Sequence, residues 1–184
     1  MFASTHAPEE RLFAEMIERI EQPPLCVIAP RHPKRAAEIL RQLKPLALNI
    51  RQRSKYEAID ADTDLYLADT LGEMQPLMAH ARLVVMGGSF TPVGGHNILE
   101  PARLGAAVVT GWSDDNIRAD IEFLQAHQAI IQVRDIDELI AAINRLLNEE
   151  SALEALRSQA ASVMKNQSQT LQKTLGEIGT YGHL

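Results

Sequence analysis

The residues best able to do chemistry crowd one stretch, Met86-Gly87-Gly88-Ser89-Phe90-Thr91-Pro92-Val93-Gly94-Gly95-His96-Asn97-Ile98-Leu99-Glu100-Pro101. Its four glycines let the backbone turn sharply and approach a ligand with no Cβ in the way. An apolar strand feeds the stretch and a helix leaves it, so free N–H groups and a positive dipole end are expected to face whatever the loop holds. That chemistry suits an anion, above all a phosphate. Asn97 has the chemistry of a helix cap, and Glu100 three residues later completes a capping-box spacing. Capping and ligand contact can coexist at one helix start.

Three further loops carry polar residues directly after apolar runs of strand length: Ser4-Thr5-His6, Pro30-Arg31-His32 and Thr70-Leu71-Gly72-Glu73. In a doubly wound sheet, ligands bind beyond the carboxyl ends of the strands, where the strand order switches. The four loops are therefore expected to converge. Each also has a plainer role available. Arg31 could be a solvated charge, His32 and His96 helix-start histidines, and Glu73 a complement to a helix dipole.

Other chemistries fall away. Gly87-Gly88-Ser89 is not the dinucleotide fingerprint, and no Gly-Lys-Ser/Thr follows, which disfavours hydride transfer and nucleoside triphosphate hydrolysis. Ser89 lacks a paired histidine or nucleophile-elbow context, which disfavours covalent catalysis. Asp60-Ala61-Asp62-Thr63-Asp64 spaces carboxylates as a divalent-metal site would, but it precedes a strand, at the end opposite the inferred site. It reads as a turn of solvated acids. Neither a metal nor a cofactor is expected.

The elements that must position these residues follow from apolar patterning. With 184 residues, 46% hydrophobic and 23% charged, the chain suits one domain with a full core, spanning 1–184. A net charge of −6 does not suit long nucleic-acid contacts. The lone Cys26 lies in an apolar run, where it reads as a small buried hydrophobe in a reducing compartment. No apolar run approaches the roughly 18 residues needed to span a bilayer, and no signal peptide is visible, so a soluble chain is expected. Strands are expected over 25–29, 46–50, 64–69, 83–86, 107–110 and 130–133. Helices are expected over 14–20, 36–41 and 74–81, around 121–124, from 135, and over 151–175, the last packing back across the domain edge. Glu9 and Glu10 suit the dipole at the first helix start, and Pro33 suits the first turn of the second. This order predicts an α/β fold, a Rossmann-like parallel sheet with helices on both faces. Met1-Phe2-Ala3 reads as the end of a strand, as in a truncated chain whose first strand is absent.

Gly87-Gly88-Ser89, Gly95-His96-Asn97, Leu99-Glu100-Pro101 and Leu104-Gly105, in this order and spacing, resemble the donor-site segment of the 3-deoxy-D-manno-octulosonic acid (Kdo) transferases. Asp69-Thr70-Leu71-Gly72-Glu73-Met74, Ser4-Thr5-His6 with Glu9-Glu10, Pro30-Arg31-His32-Pro33 and Arg53-Ser54 resemble further hallmarks of that family. The matches run from the first residues to about Gly111; beyond it the likeness is one of pattern. Ala3 stands where glycine is usual, Ala7-Pro8 replaces a more polar pair, Ile98 a common proline, and Asn116-Ile117 a frequent Asn-Phe.

The resemblance implies the carboxyl-terminal, nucleotide-sugar-binding half of a two-domain GT-B glycosyltransferase. It further implies transfer of Kdo from CMP-Kdo to the lipid A precursor (lipid IVA) in lipopolysaccharide biosynthesis, at the cytoplasmic side of the cell inner membrane. The acceptor surface, membrane anchor and carboxylate general base are then expected in an absent amino-terminal domain, with no catalytic residue in this chain and an inactive isolated domain. The implied CMP contacts are Pro30, Arg31, Leu71, Gly72, Glu73, Asn97, Ile98, Leu99 and Glu100, supported by Ser4, Thr5, His32, Ser89, Gly95 and His96. Arg31 and the Asn97 helix start would stabilise the departing phosphate. Pro30 would present its carbonyl, Ile98 and Leu99 their N–H groups, and Glu100 would accept from the ribose hydroxyls. Two alternatives stay open: the donor domain of a UDP-sugar transferase or UDP-N-acetylglucosamine epimerase, and a non-catalytic nucleotide-binding module.

Overall fold

The apolar runs become strands that are buried on both faces, because helices cover both faces of the sheet they form. A computed structural model of the chain describes residues 1–181. Its strands are β1 (Phe2–Thr5), β2 (Cys26–Pro30), β3 (Ile50–Gln52), β4 (Leu65–Leu67), β5 (Leu83–Met86), β6 (Ala107–Thr110) and β7 (Ile131–Gln132). They pair in parallel in the order β3-β4-β2-β1-β5-β6-β7. The helices are α1 (Glu9–Met16), α2 (Ala36–Leu43), α3 (Met74–His80), α4 (Leu99–Arg103), α5 (Arg118–Ala126), α6 (Ile136–Asn148) and α7 (Glu150–Tyr181).

Side-chain alternation along each strand divides the core in two. Phe2, Ile28 and Val85 pack with Phe13 of α1, Ile39 of α2 and Leu139 of α6. Ala3, Val84, Met86 and Val108 pack on the other face with Met78 of α3, Ala102 of α4 and Ile121 of α5. Helix α7 begins in the first core with Leu153 and Leu156 and continues into the second with Ala160, Val163 and Met164. It thus packs back across the sheet edge, and Arg157 Nε donates to the Gly105 carbonyl at 2.8 Å. Helix α6 starts on an Asp135 cap that accepts from Glu138 N at 2.8 Å. Cys26 is buried in β2, and burial pushes its thiol pKa up. No helix among the described residues is long and apolar enough to cross a membrane.

Three sequence expectations need correction. The strand expected to end at Ala3 runs on to Thr5, so Ser4 and Thr5 belong to β1, which lies mid-sheet between β2 and β5, rather than to the loop after it. The strand expected over 46–50 is displaced to Ile50–Gln52, because Lys44–Leu46 forms a 3-10 turn and Ala47 takes a left-handed conformation. The helix after the glycine-rich stretch, α4, has only 5 residues, so its dipole is small.

From β1 the chain moves outward to β2 and β3, with β4 inserted between them, then returns past β1 to β5 and continues to β7. The strand order therefore switches between β1 and β5. The loops after these two strands meet there.

Candidate functional site

The first arm of the 86–101 loop is closed from inside. Gly87 N donates to the Ala3 carbonyl at 2.7 Å, and a Cβ on Gly87 would lie 2.6 Å from the Cα of Thr5. Loop and β1 touch backbone to backbone. Glu9, fully buried in the first turn of α1, accepts from Gly88 N at 2.8 Å, Phe90 N at 2.9 Å and His6 N at 2.8 Å. Burial raises its pKa, opposed by those three N–H bonds. The N–H groups of Gly88 and Phe90 are thus occupied by an internal carboxylate. Ser89 is also buried; its hydroxyl donates to the Met86 carbonyl at 2.6 Å and accepts from Gly111 N at 2.8 Å. The hydroxyl of this implied contact residue is thus committed within the chain.

Glu10, in the same first turn of α1, is also committed internally. It is buried, and its Oε1 accepts from Arg35 Nη1 at 2.8 Å and from Thr5 Oγ1 at 3.1 Å. Thr5, expected near the ligand, spends its hydroxyl on this ion pair. Ser4, at the end of the same strand, is half-buried with a left-handed φ of 55°.

The second arm is open. Gly95 N closes back onto the Gly88 carbonyl at 2.8 Å, and a Cβ on Gly95 would strike Ile117 Cδ1 at 2.4 Å. His96 then lies over Gly88, where a Cβ would come within 2.9 Å of its ring. Across the switch point His96 Nε2 is 2.7 Å from His6 Nε2, with the rings stacked at 5.0 Å between centroids. His32 stands edge-on to His6 at 5.7 Å. Burial first, then neighbouring positive charge, lowers both pKa values: His32 acts most on His6, while His6, Arg31 and His32 act on His96. Asn97 is exposed and its Oδ1 accepts from Leu99 N at 3.0 Å, so the N–H expected of Leu99 is used within the chain. The Ile98 side chain is fully buried and anchors the arm. Glu100 makes no reciprocal capping bond; α4 is capped at Ile98 without a side-chain bond. Among the described residues, the N–H groups of Asn97 and Ile98 have no acceptor and the Glu100 carboxylate has no partner.

The loop after β2 joins this cluster. Pro30 is the last residue of β2, and Arg31 N donates to the Thr5 carbonyl at 3.0 Å. Arg31 is exposed and has no ion pair among the described residues, whereas Arg35 is held by Glu10 and Glu38. The loop after β4 lies farther out, two strand spacings or about 10 Å from β1 along the sheet. There Leu71 is 83% exposed and Gly72 has a φ of 83°. Glu73 is gripped by Arg53, with Nη2 to Oε1 at 2.7 Å and Nε to Oε2 at 3.0 Å, and accepts from the Thr70 hydroxyl. Its pKa is lowered mainly by Arg53. Asp69 accepts from Gln52 Nε2 at 2.6 Å and from Ser54 N at 2.8 Å, fixing the Arg53 segment. Asp60 is spent on Arg51 and Thr63, and Asp64 on Asn49 N, as a turn requires. Among the described residues no group of three or more His, Cys, Asp or Glu is arranged to hold a metal.

The structure thus gathers the loops after β1, β2 and β5, and sets the loop after β4 as an outer wall. His6 and Glu9, named in the converging first loop and at the first helix start but not among the implied CMP contacts, take roles in this cluster that the sequence does not show. His6 follows a strand, which is a signal, but its partner is 90 residues away.

No family model matches the chain. A 3-deoxy-D-manno-octulosonic acid transferase of Rickettsia conorii is 30% identical over 184 residues, covering 97% of this chain and 39% of that protein. The crystal structure of the C-terminal CMP-Kdo binding domain of WaaA from Acinetobacter baumannii is similar at a TM-score of 0.81 and 34% identity, covering 89% of this chain and 86% of that one. The chain belongs to the Kdo transferase family. Within that family it corresponds to a C-terminal domain, and it spans about two fifths of the curated relatives it matches, 39% for the Rickettsia protein. Anabaena Alr3699/HepE, solved with UDP and glucose, shares the fold alone, at 15% identity and a TM-score of 0.58 over 96% of this chain and 48% of that one.

Proposed function

We propose that this chain is the donor-binding half of a Kdo transferase and holds CMP-Kdo against the open arm of the loop, for transfer to the lipid A precursor in lipopolysaccharide synthesis. One observation carries the reading. Arg31, without an ion pair among the described residues, adjoins His32 and adds positive charge near His6 and His96; on the same side the Asn97 and Ile98 N–H groups have no acceptor, and the Glu9 and Glu10 carboxylates are already committed. Such a cluster is completed by an external anion.

A glycosyl phosphate gains negative charge as its bond breaks, and fixed donors stabilise that charge without reorganising. Arg31 supplies the cation and the Asn97–Ile98 backbone the dipoles. Glu100, whose carboxylate has no partner among the described residues, accepts from ribose hydroxyls. Pro30 lines the inner edge, and Leu71, Gly72 and Glu73 form the outer wall. General base, acceptor surface and inner-membrane anchor belong to a preceding domain in this reading, so these 184 residues bind donor without transferring sugar.

Titration calorimetry with CMP and UMP tests it. CMP is expected to bind more tightly than UMP, and Arg31→Ala or Glu100→Gln to weaken CMP by about tenfold or more, the loss of one charged hydrogen bond. Equal or tighter UMP binding would favour a UDP-sugar enzyme. No heat at millimolar CMP would remove the site altogether.

A further inference from the structure

The His6–His96 contact has a chemistry that simple phosphate binding does not need. Two Nε2 atoms 2.7 Å apart cannot both carry a proton, because one must donate and the other accept. The neutral pair therefore has one ring with a bare Nδ1. One added proton at that atom yields an imidazolium donating to an imidazole, a charge-assisted bond stronger than the neutral one. A second added proton leaves no acceptor between the rings and breaks the pair. The pair thus has room for one extra proton and no more.

Its surroundings withhold that proton until an anion arrives. Acting on the rings are His32 and Arg31 from the loop after β2, Arg35 from the turn before α2, and Glu10 from α1. Glu10, the carboxylate in that set, is already shared by Arg35 and Thr5. The glycine loop serves the arrangement directly, since the bare Cα of Gly88 leaves the place that the His96 ring fills.

We propose that His6 and His96 act as one proton-binding unit of the donor site, taking up a single proton from solvent when a nucleotide phosphate docks beside Arg31. This rests on the donor-site reading above. The captured proton places a second positive charge against the phosphate and is given back when the nucleotide leaves.

The test is calorimetry of CMP binding in two buffers of different ionisation enthalpy, which reads protons taken up per nucleotide. About one proton is expected. Between about pH 7 and 8.5, where the CMP phosphate is already a dianion, affinity should fall by up to about tenfold per pH unit. His6→Gln and His96→Gln should each abolish the uptake and flatten the pH dependence while leaving weaker binding; His32→Gln should retain the uptake. In the unaltered chain, imidazole 15N shifts give a readout that no variant's folding can confuse, with one ring of the pair becoming imidazolium on CMP addition. CMP binding without proton uptake, or uptake that survives both variants, would overturn this inference and leave the donor site standing. Absence of CMP binding would overturn both.

Discussion

Gly87-Gly88-Ser89-Phe90 and Gly95-His96-Asn97-Ile98 are two arms of one loop, built from similar residues and ending in opposite states. In the first, the N–H groups of Gly88 and Phe90 meet Glu9, and the Ser89 hydroxyl bridges Met86 and Gly111. In the second, Asn97 and Glu100 face outward with capacity to spare. A buried carboxylate on α1 makes the difference by serving as the first arm's internal acceptor. The closed arm's donors are thereby satisfied, and the Gly95 N–H bond to the Gly88 carbonyl ties the open arm to it.

The comparison can be broken most severely at Gly87. Gly87→Ala places a methyl 2.6 Å from the Thr5 backbone, which cannot swing away as a side chain could. Urea unfolding should show a loss of about 3 kcal/mol or more. A loss below about 1 kcal/mol would mean that β1 and the loop are not in contact as described. Next, Glu9→Ala strands three N–H groups and should cost about 2–4 kcal/mol, with Glu9→Gln recovering only part, because an amide lacks the carboxylate's second acceptor oxygen.

A smaller effect separates the arms by pH. His6 and His96 both have folded-state pKa values below 6.5, so the unfolded chain binds more protons in that range. The stability they contribute is present above 6.5 and is lost as pH falls through the folded-state values. Urea midpoints should therefore decline on acidification, and the decline should be shallower in a His6→Gln/His96→Gln double variant; identical slopes would deny the pairing. Smallest of all, Asn97→Ala in the open arm should change stability by no more than about 0.5 kcal/mol while weakening CMP binding.

Much of this was legible in the sequence. The runs 83–86 and 107–110 match β5 and β6 residue for residue, because a central strand buried on both faces leaves no polar ambiguity at its ends. The edge strand β3 was misplaced, since it is short and half-buried, and a 3-10 turn holds Leu46. At the site, Arg31, Asn97 and Glu100 could be named because strand ends and glycine spacing point to them. The closure by Glu9 could not be read, because a glutamate in a first helical turn has an adequate local role in dipole complementation. Only the strand order reveals that this turn faces the loop after β5. The His6–His96 pair is hidden for the same reason, as a contact between two loops made neighbours by the crossover. Ser89 and Thr5 were read as ligand groups because a hydroxyl's internal partners are invisible until the backbone around it is placed.

The most direct test of the central claim, that the open arm and not the closed arm meets the nucleotide, is a backbone amide NMR titration of the 184-residue chain with CMP. The account predicts large shift changes at Arg31 and across 96–100, with Gly88 and Phe90 nearly still because Glu9 retains their N–H groups. Large changes at Gly88 and Phe90, with 96–100 unmoved, would contradict it.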